Sequence, residues 1–168
     1  MPKNYKTIKY GNLPWLWLSL LLLLGDQLTK LLAVQFLTLN EPLKIFSFFN
    51  INLAYNTGAA FSMFSQADGW QQWFFVGMAV VVSTVIIVWL KRMPRAKSLL
   101  AAGLACILSG ALGNLWDRLY WGYVVDFIQL YAGHWYWPTF NVADICICVG
   151  AGLLILDTFK KPQTVGEK

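Results

Sequence analysis

Apolar positions in this chain fall into four long runs separated by stretches where apolar and polar residues alternate. The runs cover about 13–34, 70–90, 98–116 and 140–159, and each approaches the ~20 residues needed to cross ~30 Å of hydrocarbon. The alternating stretches are short and lie between spans. Phe49-Asn50-Ile51-Asn52-Leu53-Ala54-Tyr55-Asn56 has period two, the pattern of a half-buried strand, and Tyr123-Val124-Val125-Asp126-Phe127-Ile128 is β-branched and aromatic around one carboxylate. The predicted fold class is an all-α integral membrane protein with four transmembrane helices and a small β-rich extracytoplasmic element. It forms one membrane domain over 1–168, with outer loops at 35–69 and 119–139.

Composition supports a lipid environment. Of 168 residues 58% are hydrophobic and only 12% charged, with a mean hydropathy of +0.53, whereas soluble domains carry about 25% charged residues. This excludes disorder, a coiled coil and a separate soluble module. Cys106, Cys146 and Cys148 lie inside apolar runs and form no C-x-x-C pair, so they read as packing residues rather than a disulfide or metal framework.

The net charge of +5 matters less than where the charges stand. Lys3, Lys6 and Lys9, then Lys91, Arg92, Arg95 and Lys97, then Lys160, Lys161 and Lys168 make 3 + 4 + 3, or 10 of the 13 basic residues, all on one side of a four-span zigzag. The positive-inside rule then puts both termini and the 91–97 loop in the cytoplasm. The first run follows three lysines as a signal peptide would, but it ends in Asp26, Gln27 and Lys30 without a small-x-small site, so it is expected to be a retained span.

The third run carries small residues four apart, Ala102, Cys106 and Gly110 on one line and Ala105, Ser109 and Gly113 on the next. Such faces let helices approach closely in lipid, which predicts a central helix. Polar residues gather at the outer ends of the spans: Asp26, Gln27 and Lys30 on the first, Asn114, Asp117 and Arg118 on the third, Asn141 and Asp144 on the fourth. Ionisable groups at that depth are costly and mark candidate sites. Asp26 and Lys30 are spaced for a structural i,i+4 ion pair. Asp117 and Arg118 are adjacent, so each needs a partner elsewhere; for Arg118 an interfacial anchor, a loop carboxylate or a substrate backbone all qualify. Asp144 has two readings, a helix N-cap and a functional carboxylate.

In the outer loops, Thr57-Gly58-Ala59-Ala60-Phe61 permits a tight turn or close backbone approach by a ligand. His134-Trp135-Tyr136-Trp137-Pro138 has the composition of an interfacial aromatic belt. His134 is the only histidine, and H-E-x-x-H is absent, so a zinc peptidase is excluded and no cofactor is expected.

Asp126 and Asp144 are 18 residues apart, and the segment between them can fold back so that they meet at the membrane surface. Two aspartates that close share one proton: one takes a proton from water while the other donates, which is a way to hydrolyse an amide without a metal. A Ser–Lys dyad of Lys30 with Ser47, Ser62 or Ser65 is the weaker alternative.

Five motifs carry a resemblance: Asp26-Gln-Leu-Thr-Lys30, Asn56-Thr-Gly-Ala-Ala-Phe61, Gly110-Ala-Leu-Gly-Asn114-Leu-Trp-Asp-Arg118, Val125-Asp126-Phe127 and Phe140-Asn141-Val-Ala-Asp144. In order and at these depths they resemble the lipoprotein signal peptidase (signal peptidase II) family over essentially the whole chain. The resemblance implies an aspartic endopeptidase of the bacterial inner membrane, its active site on the periplasmic side, cutting prolipoproteins just before the diacylglyceryl-modified cysteine of the lipobox. It implies Asp126 and Asp144 as the catalytic pair, and Asn56, Gly58, Asn114, Arg118 and Asn141 as the substrate-binding set. Asp26 is implied as a supporting structural residue beside Lys30. The implied partners are prolipoproteins, membrane lipids and the inhibitor globomycin, with no nucleic acid.

The alternative class is a small ion-coupled carrier or a non-enzymatic assembly factor. Carriers place polar residues near the midplane and often break their helices there. Here the polar set stands at one end of the spans.

Overall fold

A computed structural model describes residues 11–58, 69–95 and 97–159. The four apolar runs form helices: α1 (Leu16–Phe36), preceded by a 3-10 turn at Leu13–Trp15, then α2 (Trp70–Arg92), α3 (Ser98–Tyr120) and α4 (Val142–Thr158). Lys91 and Arg92 extend α2, and Asp117 to Tyr120 extend α3, past the ends of their apolar runs. A helix stops where its backbone loses hydrogen-bond partners, and not where its sequence turns polar. Three helical segments, Leu13–Phe36, Trp70–Arg92 and Ser98–Tyr120, are long and apolar enough to cross a membrane. α4 has 17 residues, about 26 Å of helix, because Asn141 and Phe159 serve as its caps.

α3 is the central helix. Of its apolar window 56% lies inside the protein, against 22% for the windows of α1 and α2, and it packs on all three other helices. The small-residue lines explain this: Ala105, Cys106, Ser109, Gly110 and Gly113 are all buried. A Cβ placed on Gly103 would lie 2.9 Å from the Gly150 carbonyl oxygen, and one on Gly150 would lie 2.6 Å from that of Gly103. Only glycine on both sides lets α3 and α4 come so close. Ile86, Leu90, Met93, Ala101, Leu104 and Leu108 form the main core, toward the basic loop. The outer faces of α1 and α2 expose Trp17, Leu21, Leu28, Trp73, Phe74 and Val81. Water would disfavour so large an apolar surface, and lipid accepts it.

The strands form one antiparallel sheet in the order β1 (Leu43–Phe46), β2 (Phe49–Asn56), β3 (Val124–Ala132), β4 (Trp135–Tyr136). β2 matches the period-two stretch residue for residue, and β3 runs beyond the expected Ile128. The aromatic segment becomes one arm of a tight hairpin whose turn uses Gly133 at φ +60°. Its Trp135, Tyr136 and Trp137 are exposed. Ala33 of α1, Leu53 of β2 and Val125 of β3 make a second small core that seats the sheet on the helix ends.

Candidate active site

Pairing in the sheet positions the first carboxylate. Asp126 of β3 stands opposite Ala54 of β2, and Asn56 stands opposite Val124, so Asn56 and Asp126 are diagonal neighbours on one face. Asn56 Nδ2 donates to Asp126 Oδ2 at 3.0 Å. The Asn56 oxygen accepts the Gly58 N–H at 3.0 Å, which orients the amide. Val125, between them in sequence, points the other way into the Ala33–Leu53 core.

A backbone clasp brings in the second. Phe127 and Ile128 both donate to the Phe140 carbonyl, at 3.0 and 2.9 Å, and Phe140 N–H donates back to Ile128 at 3.0 Å. The chain after the hairpin is thus laid along β3, and the next residue, Asn141, caps α4. Asp144 is therefore not the N-cap. It is the N3 partner of a capping box, donating its N–H to Asn141 Oδ1 at 3.1 Å while its Oδ2 accepts the Asn141 N–H at 3.2 Å.

Asn141 joins the two carboxylates. Its Nδ2 donates to Asp126 Oδ1 at 2.7 Å and to Asn114 Oδ1 at 3.2 Å. Asn114 Nδ2 donates in turn to Asp144 Oδ1 at 2.9 Å. Asp126 is 1% exposed and Asn141 fully buried. Burial, and then the nearby Asp144 carboxylate, push Asp126 up to about 7.

Asp126 and Asp144 line a cavity of about 520 Å³ together with Asn56, Gly58, Asn114 and Arg118. Asn141, expected among the lining residues, stands behind them and acts on the carboxylates instead. Arg118 donates to the Asn114 carbonyl at 3.2 Å and to the Gly58 carbonyl at 3.3 Å, and its guanidinium lies 5.0 Å from the centre of the Phe75 ring. The far wall is apolar, with Leu130, Trp137, Ile145, Ile147, Cys148 and Val149. Cys148 is thus an exposed wall residue, while Cys106 and Cys146 are buried packing residues as expected.

Beneath the carboxylates lies a buried ionic cluster. Lys30 pairs with Asp26 at 2.9 Å, as its spacing predicts, and also with Asp117 at 2.8 Å. Asp26 Oδ1 accepts the Ala143 N–H at 2.8 Å, and Asp117 Oδ2 accepts the Val125 N–H at 3.2 Å. The third Lys30 donor goes to Asn114 Oδ1 at 3.0 Å. An ammonium has three donors and no lone pair, so Lys30 is fully engaged and offers no base to a serine. Ser62 and Ser65 lie outside the described residues.

Sequence reasoning missed three partners: Lys30 as the counter-ion of Asp117, Gln27 as a donor to Asp117 at 3.0 Å, and Gln72 of α2 as a donor to the Arg118 carbonyl at 2.8 Å. The first was available in principle, since Asp26, Lys30 and Asp117 share one depth and a buried charge demands an opposite one.

Fold and site together define a polytopic membrane protein with two aspartates held side by side at one end of its helices. A family model described as signal peptidase (SPase) II matches residues 18–160. The lipoprotein signal peptidase of Ectopseudomonas mendocina is 48% identical over 161 residues, covering 95% of each chain. That of Coxiella burnetii is 50% identical over 151 residues, covering 90% of this chain and 93% of its own. A bacterial membrane enzyme solved by the in meso method at 2.3 Å superposes with a TM-score of 0.79 at 25% identity, covering 95% of this chain and 96% of its own. The chain belongs to the signal peptidase II family and is a membrane-embedded peptidase.

Proposed function

We propose that this peptidase removes the signal peptide of diacylglyceryl-modified prolipoproteins by cutting before the lipidated cysteine, with Asp126 and Asp144 as its catalytic pair. The observation that carries the mechanism is the shared clamp: Asn141 and Asn114 hold both carboxylates at the mouth of one cavity. Asp126, pushed up to about 7, holds a proton near neutrality and donates it to the scissile carbonyl oxygen. Asp144 takes a proton from a water whose oxygen bonds to the carbonyl carbon. The tetrahedral intermediate then collapses: the C–N bond breaks as Asp144 passes the proton taken from water to the leaving amine, and a hydroxyl of the intermediate returns its proton to Asp126 as the carbonyl re-forms. Asn56, Gly58, Asn114 and Arg118 hold the peptide backbone, and the apolar wall along α4 takes the hydrocarbon of the substrate.

In this reading α4 is a fourth span, making one membrane domain with both termini cytoplasmic in a bacterial inner membrane. Lys91, Arg92, Arg95 and Lys97 stand at the opposite end of α2 and α3 from the carboxylates, which supports a periplasmic site. A site at that depth meets a substrate whose signal helix lies in the bilayer and whose acylated cysteine lies at its surface. Globomycin is expected to occupy the same cavity.

The deciding experiment is cleavage of a diacylglyceryl-modified prolipoprotein by purified protein with EDTA present, comparing wild type with Asp126→Asn and Asp144→Asn. Cleavage by wild type alone, with both variants folded, supports a metal-independent aspartic pair. Normal cutting by either variant overturns the pair. An inactive wild type in competent lipid overturns the lipidated prolipoprotein as the substrate of this peptidase.

A further inference from the structure

Three carboxamides surround the two aspartates, and each has its oxygen fixed by a group that can only donate. The Gly58 N–H fixes Asn56, the Asp144 N–H fixes Asn141, and the Lys30 ammonium, at 3.0 Å, fixes Asn114 together with the Asn141 NH₂ at 3.2 Å. A carboxamide with its oxygen pinned must turn its NH₂ the other way. Asn56 and Asn141 therefore aim theirs at Asp126, and Asn114 aims its own at Asp144. Two of the three anchors are backbone. The third is a side chain 3% exposed, carrying a full charge within the helix bundle; two of its donors go to carboxylates, and the third, which burial obliges to find an acceptor, goes to the carboxamide that faces Asp144.

We infer that Lys30 is a positioning residue for the peptidase reaction, holding the Asn114 carboxamide so that its nitrogen faces Asp144 and keeps that carboxylate aimed into the cavity. The inference rests on the reading of Asp126 and Asp144 as the catalytic pair. Ion pairing to Asp26 and Asp117 fixes the ammonium itself, and through those carboxylates the same cluster holds the backbone N–H groups of Ala143 and Val125, each next to or near an aspartate-bearing position. Without Lys30 the Asn114 oxygen keeps only the Asn141 Nδ2 donor, the longer of its two contacts at 3.2 against 3.0 Å, so the amide is held less firmly with its nitrogen toward Asp144. The charged groups facing the pair are Asp26 and Lys30 from α1, Asp117 and Arg118 from α3, Asp126 from β3 and Asp144 from α4. Lys30 is among the cations that hold the Asp126 proton affinity down.

Lys30→Met alone leaves two buried carboxylates unpaired and can unfold the protein. The double variant Lys30→Met with Asp117→Asn reduces this to one, Asp26, which keeps the Gln27 amide and the Ala143 N–H as donors, and it leaves Asn an oxygen for the Val125 N–H. The experiment measures kcat, KM and thermal unfolding of the double variant, of Asp117→Asn alone and of Asp126→Asn, on the lipidated substrate. The expected result is a double variant that folds, with KM near wild type and kcat reduced by up to about 10²-fold beyond the effect of Asp117→Asn. If Lys30→Met also folds, the alkaline limb of its kcat profile moves to higher pH, because a positive charge near Asp126 is gone. A double variant with the kcat of Asp117→Asn and only a lowered melting temperature reduces Lys30 to a structural role and overturns the inference. So does a double variant that does not fold while Lys30→Met folds with an unmoved profile. Activity in Asp126→Asn overturns the catalytic reading itself, which separates the two failures.

Discussion

Asn141 and Asp144 close a reciprocal ring at the start of α4, each accepting the other's backbone N–H, at 3.1 and 3.2 Å. A capping box of this kind stabilises a helix by roughly 1 kcal/mol. It uses one oxygen of Asp144 and leaves the other, Oδ1, to Asn114 at the cavity. The structural and functional readings of Asp144 are thus compatible, because the carboxylate has two oxygens and the fold assigns them to different tasks.

Asp144→Asn retains an oxygen for the Asn141 N–H, so the helix start survives. The expected outcome is a protein whose melting temperature in detergent stays within a few degrees of wild type while cleavage falls at least about 10²-fold. Circular dichroism and a substrate-cleavage assay on one preparation check this. A folded variant with activity near wild type removes Asp144 from the chemistry.

The pH dependence follows from Asp126. Its value is raised from 3.8 to about 7 in the folded protein, so the folded state binds a proton more tightly than the unfolded chain between those values. Stability from this group therefore falls as pH rises from about 4 to about 7 and levels off above. Activity that needs the Asp126 proton falls as pH rises through about 7. Asp126→Asn should abolish cleavage and flatten the stability change over that window, which thermal unfolding at several pH values measures. A wild-type rate constant from pH 6 to 9 would contradict the assignment.

Gly110 packs against the Ala143 backbone where α3 meets α4, with no room for a side chain. Gly110→Leu forces the start of α4 away from α3 and displaces both Asn141 and Asp144. The expected cost is at least about 1–3 kcal/mol of stability, with loss of cleavage. By contrast Gly152→Leu, where nothing lies within 4 Å of a built Cβ, should leave both unchanged. Melting temperatures of the pair of variants decide the point.

Gly58 contributes an N–H that orients Asn56 and a carbonyl that receives Arg118. Gly58→Pro deletes the first and stiffens the turn. Asn56 then loses its reason to aim its NH₂ at Asp126, and cleavage should slow by about 10-fold or more. Gly58→Ala keeps the N–H and should lie between proline and wild type. Equal activity in all three would show that this turn does not act on the carboxylate.

The sequence by itself determined the solvent, the number of helices, the central place of α3 and the depth of the polar residues. These follow from local regularities, such as run length, four-residue spacing of small side chains and period two in β2. It also singled out Asp126 and Asp144, since a charge in an apolar segment is costly wherever the segment goes. Tertiary structure alone decided that Asn141 stands between them and that Lys30 serves Asp117 and Asn114 as well as Asp26. It also decided that Phe140 clasps β3 to bring the start of α4 beside the sheet. Those contacts join residues 84 positions apart in the case of Lys30 and Asn114. A side-chain hydrogen bond has no period and no propensity, so it exists only once helices packed through glycine have brought both ends together.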